Sequence, residues 1–366
     1  MNLIDARKLF PITDSFINLN NAAESPLNSL VKTRLLEYLE FSENYPHKKP
    51  NARTKTREYL SMLFGGSKED YSLATSTGHG LGIVASGFKW SEGDNVILPE
   101  KEHWNNSYPW ILQEKKGVEV RFSKLKNNRI DYENLASLVD ENTRIISLAA
   151  VRFNSGYRVD LKKMRSIADI NNSLLVVDGI QATGAIPINV IDDGIDVLAA
   201  AGFKWLLGLP GTGFLYVNER ARKRINPVMP GMFASELEYD SLNFFNNSKK
   251  YETGTIAYPL FYAWEAGLNL LLEIGIDSIH KKIITLTDIL IEDLHKKGYE
   301  ITTPISSKSE RSGIVIFKGD SKEKTYELFQ KILSKNIVVT FRENAIRVSP
   351  SFYNTEEEIL TLCSIL

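Results

Sequence analysis

Residues 174–217, LLVVDGIQATGAIPINVIDDGIDVLAAAGFKWLLGLPGTGFLYV, decide the fold. The run LLVV has the length and composition of a strand buried on both faces, as in a parallel sheet, and it ends on Asp178. A carboxylate is thereby set at the carboxyl end of a strand, the edge of an open α/β sheet where ligands bind. A second apolar run, IDVLAAA, passes through Gly202 and Phe203 to Lys204, and Gly208, Pro210, Gly211 and Gly213 then break the apolar chain that follows.

Two readings of Lys204 are open. It could snorkel its ammonium out of a partly buried turn, or it could be a desolvated amine with a lowered pKa, able to attack a carbonyl and hold it as an imine. Asp178 bears on the choice, because an imine-bound pyridoxal phosphate needs an anion beside its ring nitrogen. Lys204 and Asp178 together favour the second reading.

VVDGIQATGAIPINV followed by GFKWLLGLPGTGFLYV resembles the class V aminotransferases among the fold-type I pyridoxal-phosphate enzymes, the group that holds cysteine desulfurases, kynureninase and isopenicillin N epimerase-like proteins. The resemblance implies an α/β fold: a large domain with a mainly parallel sheet flanked by helices, and a smaller C-terminal α+β domain. It also implies pyridoxal 5'-phosphate as cofactor, Lys204 as the Schiff-base lysine, Asp178 as partner of the pyridine nitrogen and Gln181 as donor to the ring's 3-oxygen. The expected division is an N-terminal segment at 1–15, a large cofactor-binding domain at 16–256 and a small domain at 257–366.

Composition agrees with an ordinary globular chain. At 366 residues it suits a large and a smaller domain, and 43% hydrophobic with 24% charged residues is typical. A net charge of -1 and a pI near 6.6 give no basic field, so neither nucleic acid nor an anionic membrane is expected as a partner. No secretory signal or membrane span is legible, and Cys363 is the only cysteine, which excludes an internal disulfide framework or a multi-cysteine metal site. A reducing cytoplasm is the expected compartment.

Along the chain, FINLNNAAESPLNSLVKTRLLEYLEF reads as a short strand, a turn and an amphipathic helix with Leu30, Val31, Leu35, Leu36 and Leu39 at helical spacing. Asn21 in that turn borders the site in the family and is carried as a substrate-side candidate. YSLATSTGHGLGIVASGFK reads as a strand end, a small-residue turn and a helix. Ser76 or Thr77 could be an ordinary N-cap, or the helix start could cradle a phosphate. The resemblance implies the latter, with Thr77, Gly78 and His79 around it. Glu102, His103, Asn106, Pro109 and Trp110 match a family segment whose histidine stacks on the cofactor ring, here His103, with Trp104 as the fallback. Past RIISLAAV, Asn154 could cap a turn; the resemblance puts it near the ring's 3-oxygen.

An irregular region is expected over 226–245. YETGT then carries Glu252, Gly254 and Thr255, similar to a family motif whose threonine reaches the phosphate of the partner subunit, which implies a homodimer with shared sites. In the last third, a helix over 277–298 precedes strands at GIVIF, NIVVTF and AIRVSP. RVSPSFYNT is similar to the family's terminal motif, in which an arginine takes the substrate's α-carboxylate. Arg347 is that arginine, with Arg342 as a second candidate.

The chain departs from the desulfurases in two places. No cysteine lies between Arg342 and Arg347, so chemistry through an enzyme persulfide is not expected, and Ala201 and Phe203 stand where they carry a serine and a histidine shortly before the lysine. Amino transfer is therefore the expected reaction. A cysteine or cystine C–S lyase and an amino-acid epimerase are the alternatives, and a non-catalytic interaction protein is the reading of another class.

Overall fold

A computed structural model describes residues 1–48, 50, 52–236 and 242–366. The larger sheet has seven strands: β1 (Tyr71–Ala74), β2 (Asn95–Pro99), β3 (Glu119–Ser123), β4 (Thr143–Ala149), β5 (Leu174–Asp178), β6 (Val197–Ala201) and β7 (Gly213–Val217). Their order across the sheet is β1-β7-β6-β5-β4-β2-β3, and only β7 runs antiparallel to its neighbours. Alternate residues feed two cores. Ile146, Leu148, Leu175, Val177 and Leu198 face one side, whereas Ile145, Leu174, Val176, Val197 and Ala199 face the other. This period-2 division explains why LLVV is apolar throughout, since each fully buried Val or Leu contributes roughly 1.5–3 kcal/mol.

Helices α1 (Ser29–Asn44), α2 (Ala52–Phe64), α3 (Thr77–Gly87), α4 (Trp104–Ile111) and α5 (Leu161–Asp169) come from the larger part of the chain. In α1 the apolar spacing is only partly used inward: Val31 and Tyr38 are buried, but Leu36 and Leu39 stay more than half exposed. The helix has a second apolar flank that this chain alone does not cover. Next come α6 (Tyr258–Ile274) and α7 (Ile276–Lys296). The expected division after residue 256 falls just ahead of α6, yet Phe261, Trp264 and Leu268 of that helix pack into the larger core. α7 spans both parts, with Ile279 and Ile283 in the larger core and Leu286, Leu290 and Leu294 in the smaller.

The smaller sheet contains β8 (Glu300–Ile301), β9 (Val315–Lys318), β10 (Thr340–Arg342) and β11 (Ala345–Val348), in the order β8-β9-β11-β10. It is covered by α8 (Lys322–Leu333) and α9 (Glu356–Ile365). The run NIVVTF, expected as one strand, is divided. Ile337–Val338 pairs in parallel with Ile17–Asn18, while Thr340–Arg342 pairs with β11. Residues 17–18, from the start of the expected large domain, are thus tied to the smaller part, and the isolated bridge from Asn20 to Ser349 extends the tie. Of the irregular region expected over 226–245, residues 237–241 lie outside the described residues.

Glu252 joins three elements. It is 1% exposed, ion-paired to Arg53 and Arg57 of α2, and accepts from the Leu73 N–H of β1 at 3.1 Å. Glu252→Gln leaves two buried guanidinium groups without their carboxylate, and the expected cost is about 3–5 kcal/mol of unfolding free energy. Denaturant melts measure it; a loss under about 1 kcal/mol would contradict the role.

Candidate active site

Parallel strands put their carboxyl ends on one edge. Ala149 is paired with Asp178, and Asp178 with Ala199. Ala149, Asp178 and Ala201, the last residues of β4, β5 and β6, line a cavity of about 340 Å³ at that edge. Lys204 reaches it from the turn after β6. Gly202 is required in that turn, because a Cβ there would stand 2.4 Å from Thr212 Oγ1 and 2.8 Å from the Trp264 ring. The opposite wall comes from Ala22 and Ala23 in the N-terminal loop and from Thr340, Arg342 and Arg347 of the smaller sheet.

The Lys204 side chain makes no hydrogen bond or ion pair among the described residues. Burial, then the Arg347 charge, pull its pKa down to about 8, with Asp178 opposing and Arg342 adding slightly. Asp178 is 2% exposed. One of its oxygens accepts from the Ile180 N–H at 3.0 Å. Burial pushes the carboxyl up to about 7, against that hydrogen bond and with help from the neighbouring Glu102. Arg347 is 6% exposed, forms no ion pair among the described residues, and leaves its Nε buried without a partner. Its pKa falls to about 10, through burial and then Arg342. A lowered amine, a raised acid and an unpaired arginine around one cavity are each relieved by a ligand that brings a carbonyl, a cation and a carboxylate.

The other expected residues divide into two sets. Thr77 and Gln181 line the cavity. Thr77 Oγ1 accepts from the Ala201 N–H at 3.0 Å, fixing the start of α3 against β6. Gln181 donates to Ala22 O and accepts from the Trp205 ring N–H, both at 3.0 Å, so one amide N–H is left for a ligand. His103 also lines the cavity. It caps α4 by accepting from the Asn105 N–H at 3.2 Å, its ring is edge-on to Phe153, and burial, then Lys204 and Arg342, lower its pKa. Trp104, the fallback, is 51% exposed and is not among the lining residues.

Gly78, His79, Asn154, Asn21 and Thr255 are not among them either. His79 Nδ1 turns back to the Thr75 N–H at 3.2 Å, because a side chain in the first turn of α3 projects toward the turn before it. What this helix start offers the cavity is the backbone: the N–H groups of Thr77 and Gly78 have no intrahelical carbonyl to bond. Ser76, the N-cap, lines the cavity and accepts from the His79 N–H at 3.1 Å. Asn154 donates weakly to Lys101 O at 3.4 Å and lines an adjoining chamber instead. Asn21 is fully buried, accepting from Tyr353. Thr255 is exposed, beyond the loop that Glu252 holds.

Phe153, Thr340 and Asn105 also line the cavity and were not singled out from sequence. A signal existed for Thr340, which is two residues before Arg342 on one strand and therefore on its face. Phe153 had only its place between Arg152 and Asn154. Arg152 is itself buried beside the cavity, paired with Glu102 at 2.6 Å and donating to Glu100 O and Lys101 O, so that it holds the loop from which His103 projects.

The family model described as Aminotransferase class-V matches residues 17–362. The chain is 27% identical over 356 residues to the uncharacterized aminotransferase YcbU of Bacillus subtilis, covering 96% of this chain and 94% of that one. Among solved structures, the apo cysteine desulfurase of Thermococcus onnurineus NA1 superposes with a TM-score of 0.88 at 22% identity, over 99% and 96% of the two chains. The cystine C-S lyase C-DES, in complex with cysteine persulfide, superposes with a TM-score of 0.89 at 22% identity, over 97% and 98%. The fold is the one these two structures share, and no helix among the described residues is long and apolar enough to cross a membrane.

Proposed function

This chain belongs to the class V aminotransferase family of pyridoxal-phosphate-dependent enzymes, and from that premise we propose that it transfers the amino group of a small amino acid, with Lys204 as the lysine that binds the cofactor. The observation that carries the reading is the composition of the cavity wall: Lys204 with its lowered pKa, preceded in the chain by Phe203 rather than by a histidine, and no cysteine among the lining residues.

Pyridoxal phosphate supplies an aldehyde that bonds covalently to amines and a ring that withdraws electrons from the substrate's α-carbon. Asp178 holds the proton at the ring nitrogen, where a cation restores the charge that burial disfavours in the carboxyl. The start of α3, with Ser76 and Thr77, is the group that fits the phosphate. Gln181's remaining amide N–H suits the ring's 3-oxygen. His103, lining the cavity, would cover one ring face and exclude water from it. Arg347 orients the substrate by its α-carboxylate through parallel hydrogen bonds. Lys204 Nζ, its pKa lowered by burial, is the base that would take the α-proton and return it, and the carbon to which it returns would separate transfer from other outcomes.

A lyase acting on a sulfur amino acid is the second reading, favoured by the similarity to C-DES. Supplying the holoenzyme with amino acids separates the two. Transfer is expected to yield one equivalent of 2-oxo acid and the amine form of the cofactor, with turnover only when a second 2-oxo acid is added. Continuous release of pyruvate with ammonia or sulfide, and no acceptor present, would overturn it in favour of the lyase.

The homodimer belongs to the same proposal. Exposed Leu36, Leu39 and Met62 on α1 and α2 and the exposed position of Thr255 support a partner copy that completes the phosphate site. A cytoplasmic location is proposed from the single, buried Cys363, which has no assigned chemical role.

A further inference from the structure

Building on the reading of this cavity as an amino-acid site, we propose that the enzyme selects amino acids whose side chain ends in a second carboxylate, and that Arg342 is the residue that recognises it. A second chamber of about 170 Å³ opens beside the main cavity, and the two share Phe153, Arg342 and Arg347 as a common wall. At roughly 30 Å³ per water in the liquid, the chamber holds the equivalent of five or six waters, which suits a carboxylate carried on one or two methylenes.

The two arginines differ. Arg347 is buried at the partition and is the one suited to the α-carboxylate. Arg342 is a third exposed, and its only ion pair among the described residues is a 3.8 Å contact with Glu343, itself 65% exposed, an arrangement that contributes little. Its guanidinium is nonetheless held in place, 4.6 Å from the Phe153 ring centroid and 5.4 Å from that of Trp104. Lys318, the other cation of the chamber, is already paired with Glu300 at 3.0 Å.

A substrate with one carboxylate leaves Arg342, beside Arg347 and Lys204, with no counter-charge but the long contact to Glu343 at the chamber's rim. A second carboxylate supplies it, through the paired donors of a planar guanidinium. Asn154 Oδ1, buried without a partner, is an acceptor for an N–H placed near that carboxylate. The distal carboxylate can therefore come from a plain dicarboxylic amino acid or from a double-headed one that carries an ammonium beside it.

The test is calorimetric titration of the holoenzyme with glutarate and with valerate, which share a five-carbon chain and lack an amine. Glutarate is expected to bind about 10- to 100-fold more tightly, the range for one hydrogen-bonded charge pair. In Arg342→Gln the ratio is expected to fall to about one, and in Arg342→Lys to recover in part, whereas Arg347→Gln weakens both ligands. A ratio near one in the native protein, or one that survives in Arg342→Gln, overturns the proposal. L-glutamate and L-cystine, compared by half-saturation of the cofactor's spectral change, tell the two sources apart, and L-alanine saturating below both also overturns it. The binding ratio does not involve reaction: a ratio that holds while no amino acid changes the cofactor sinks the transfer reading alone, and the converse sinks the subsite alone.

Discussion

Lys204→Ala is expected to abolish covalent capture of the cofactor and to lower turnover by at least about 10⁴-fold, since it removes both the attacking amine and the proton carrier. The native side chain has a pKa of about 8 where an ordinary lysine has 10.5. At pH 7.5 that difference raises the neutral fraction from about a thousandth to about a quarter, and only the neutral amine attacks an aldehyde. The sign of the pH dependence follows. Capture by cofactor-free protein should accelerate as pH rises through about 8 and then level off, whereas an unshifted amine would keep accelerating above 10. Hydride trapping and mass analysis of the labelled peptide read the bond directly, with Lys204 labelled in the native protein and nothing labelled in the variant. Lys204→Arg keeps a cation yet should fail in the same way, which separates the chemistry of the amine from its charge. Because the Lys204 side chain makes no hydrogen bond or ion pair among the described residues, neither variant should lower the melting temperature through a lost polar contact. Labelling of another lysine would assign the cavity differently.

What the sequence disclosed of this site follows a physical rule. Asp178 and Lys204 were legible because they interrupt or end apolar runs that only buried strands explain, and strand ends in a mainly parallel sheet converge. Once a side chain's direction depended on irregular backbone, the pattern carried no information. Asn154 is five residues past the end of β4, in a loop that folds back through the Val151–Arg158 bridge, and the turn aims Phe153 into the cavity and Asn154 into its neighbour. His79 was placed correctly at a helix start, but there the groups that face a ligand are backbone N–H groups while the ring points back. The pairing of Ile17–Asn18 with Ile337–Val338 links residues more than 300 apart, and no local periodicity encodes such a partner. The same applies to α6, whose amphipathic pattern reveals a buried face but not which core receives it.

Asp178→Asn should separate two properties that Lys204→Ala removes together. The amide cannot provide the negative charge that keeps a proton on the ring nitrogen, so turnover is expected to fall by about 10²- to 10³-fold, the usual consequence of deleting one preorganised electrostatic partner. Capture by Lys204 does not use that charge, and the coloured complex should still form. A second readout needs no cofactor. The Asp178 carboxyl is raised from 3.8 to about 7 in the folded protein, so between those values the native state holds a proton that the unfolded chain has released. Its contribution to stability is therefore complete below about 4 and is lost as pH rises through 7. Asparagine does not titrate. Relative to the native protein, cofactor-free Asp178→Asn should gain melting temperature steadily from pH 4 to pH 7 and show no further relative change above it. A flat difference across that range would mean that the carboxyl is ionised in the folded state at all these values. Turnover within about threefold of native would mean that it is not the ring's partner, and the two results are independent because the first concerns the dry carboxyl and the second the charge it provides when a cation is beside it.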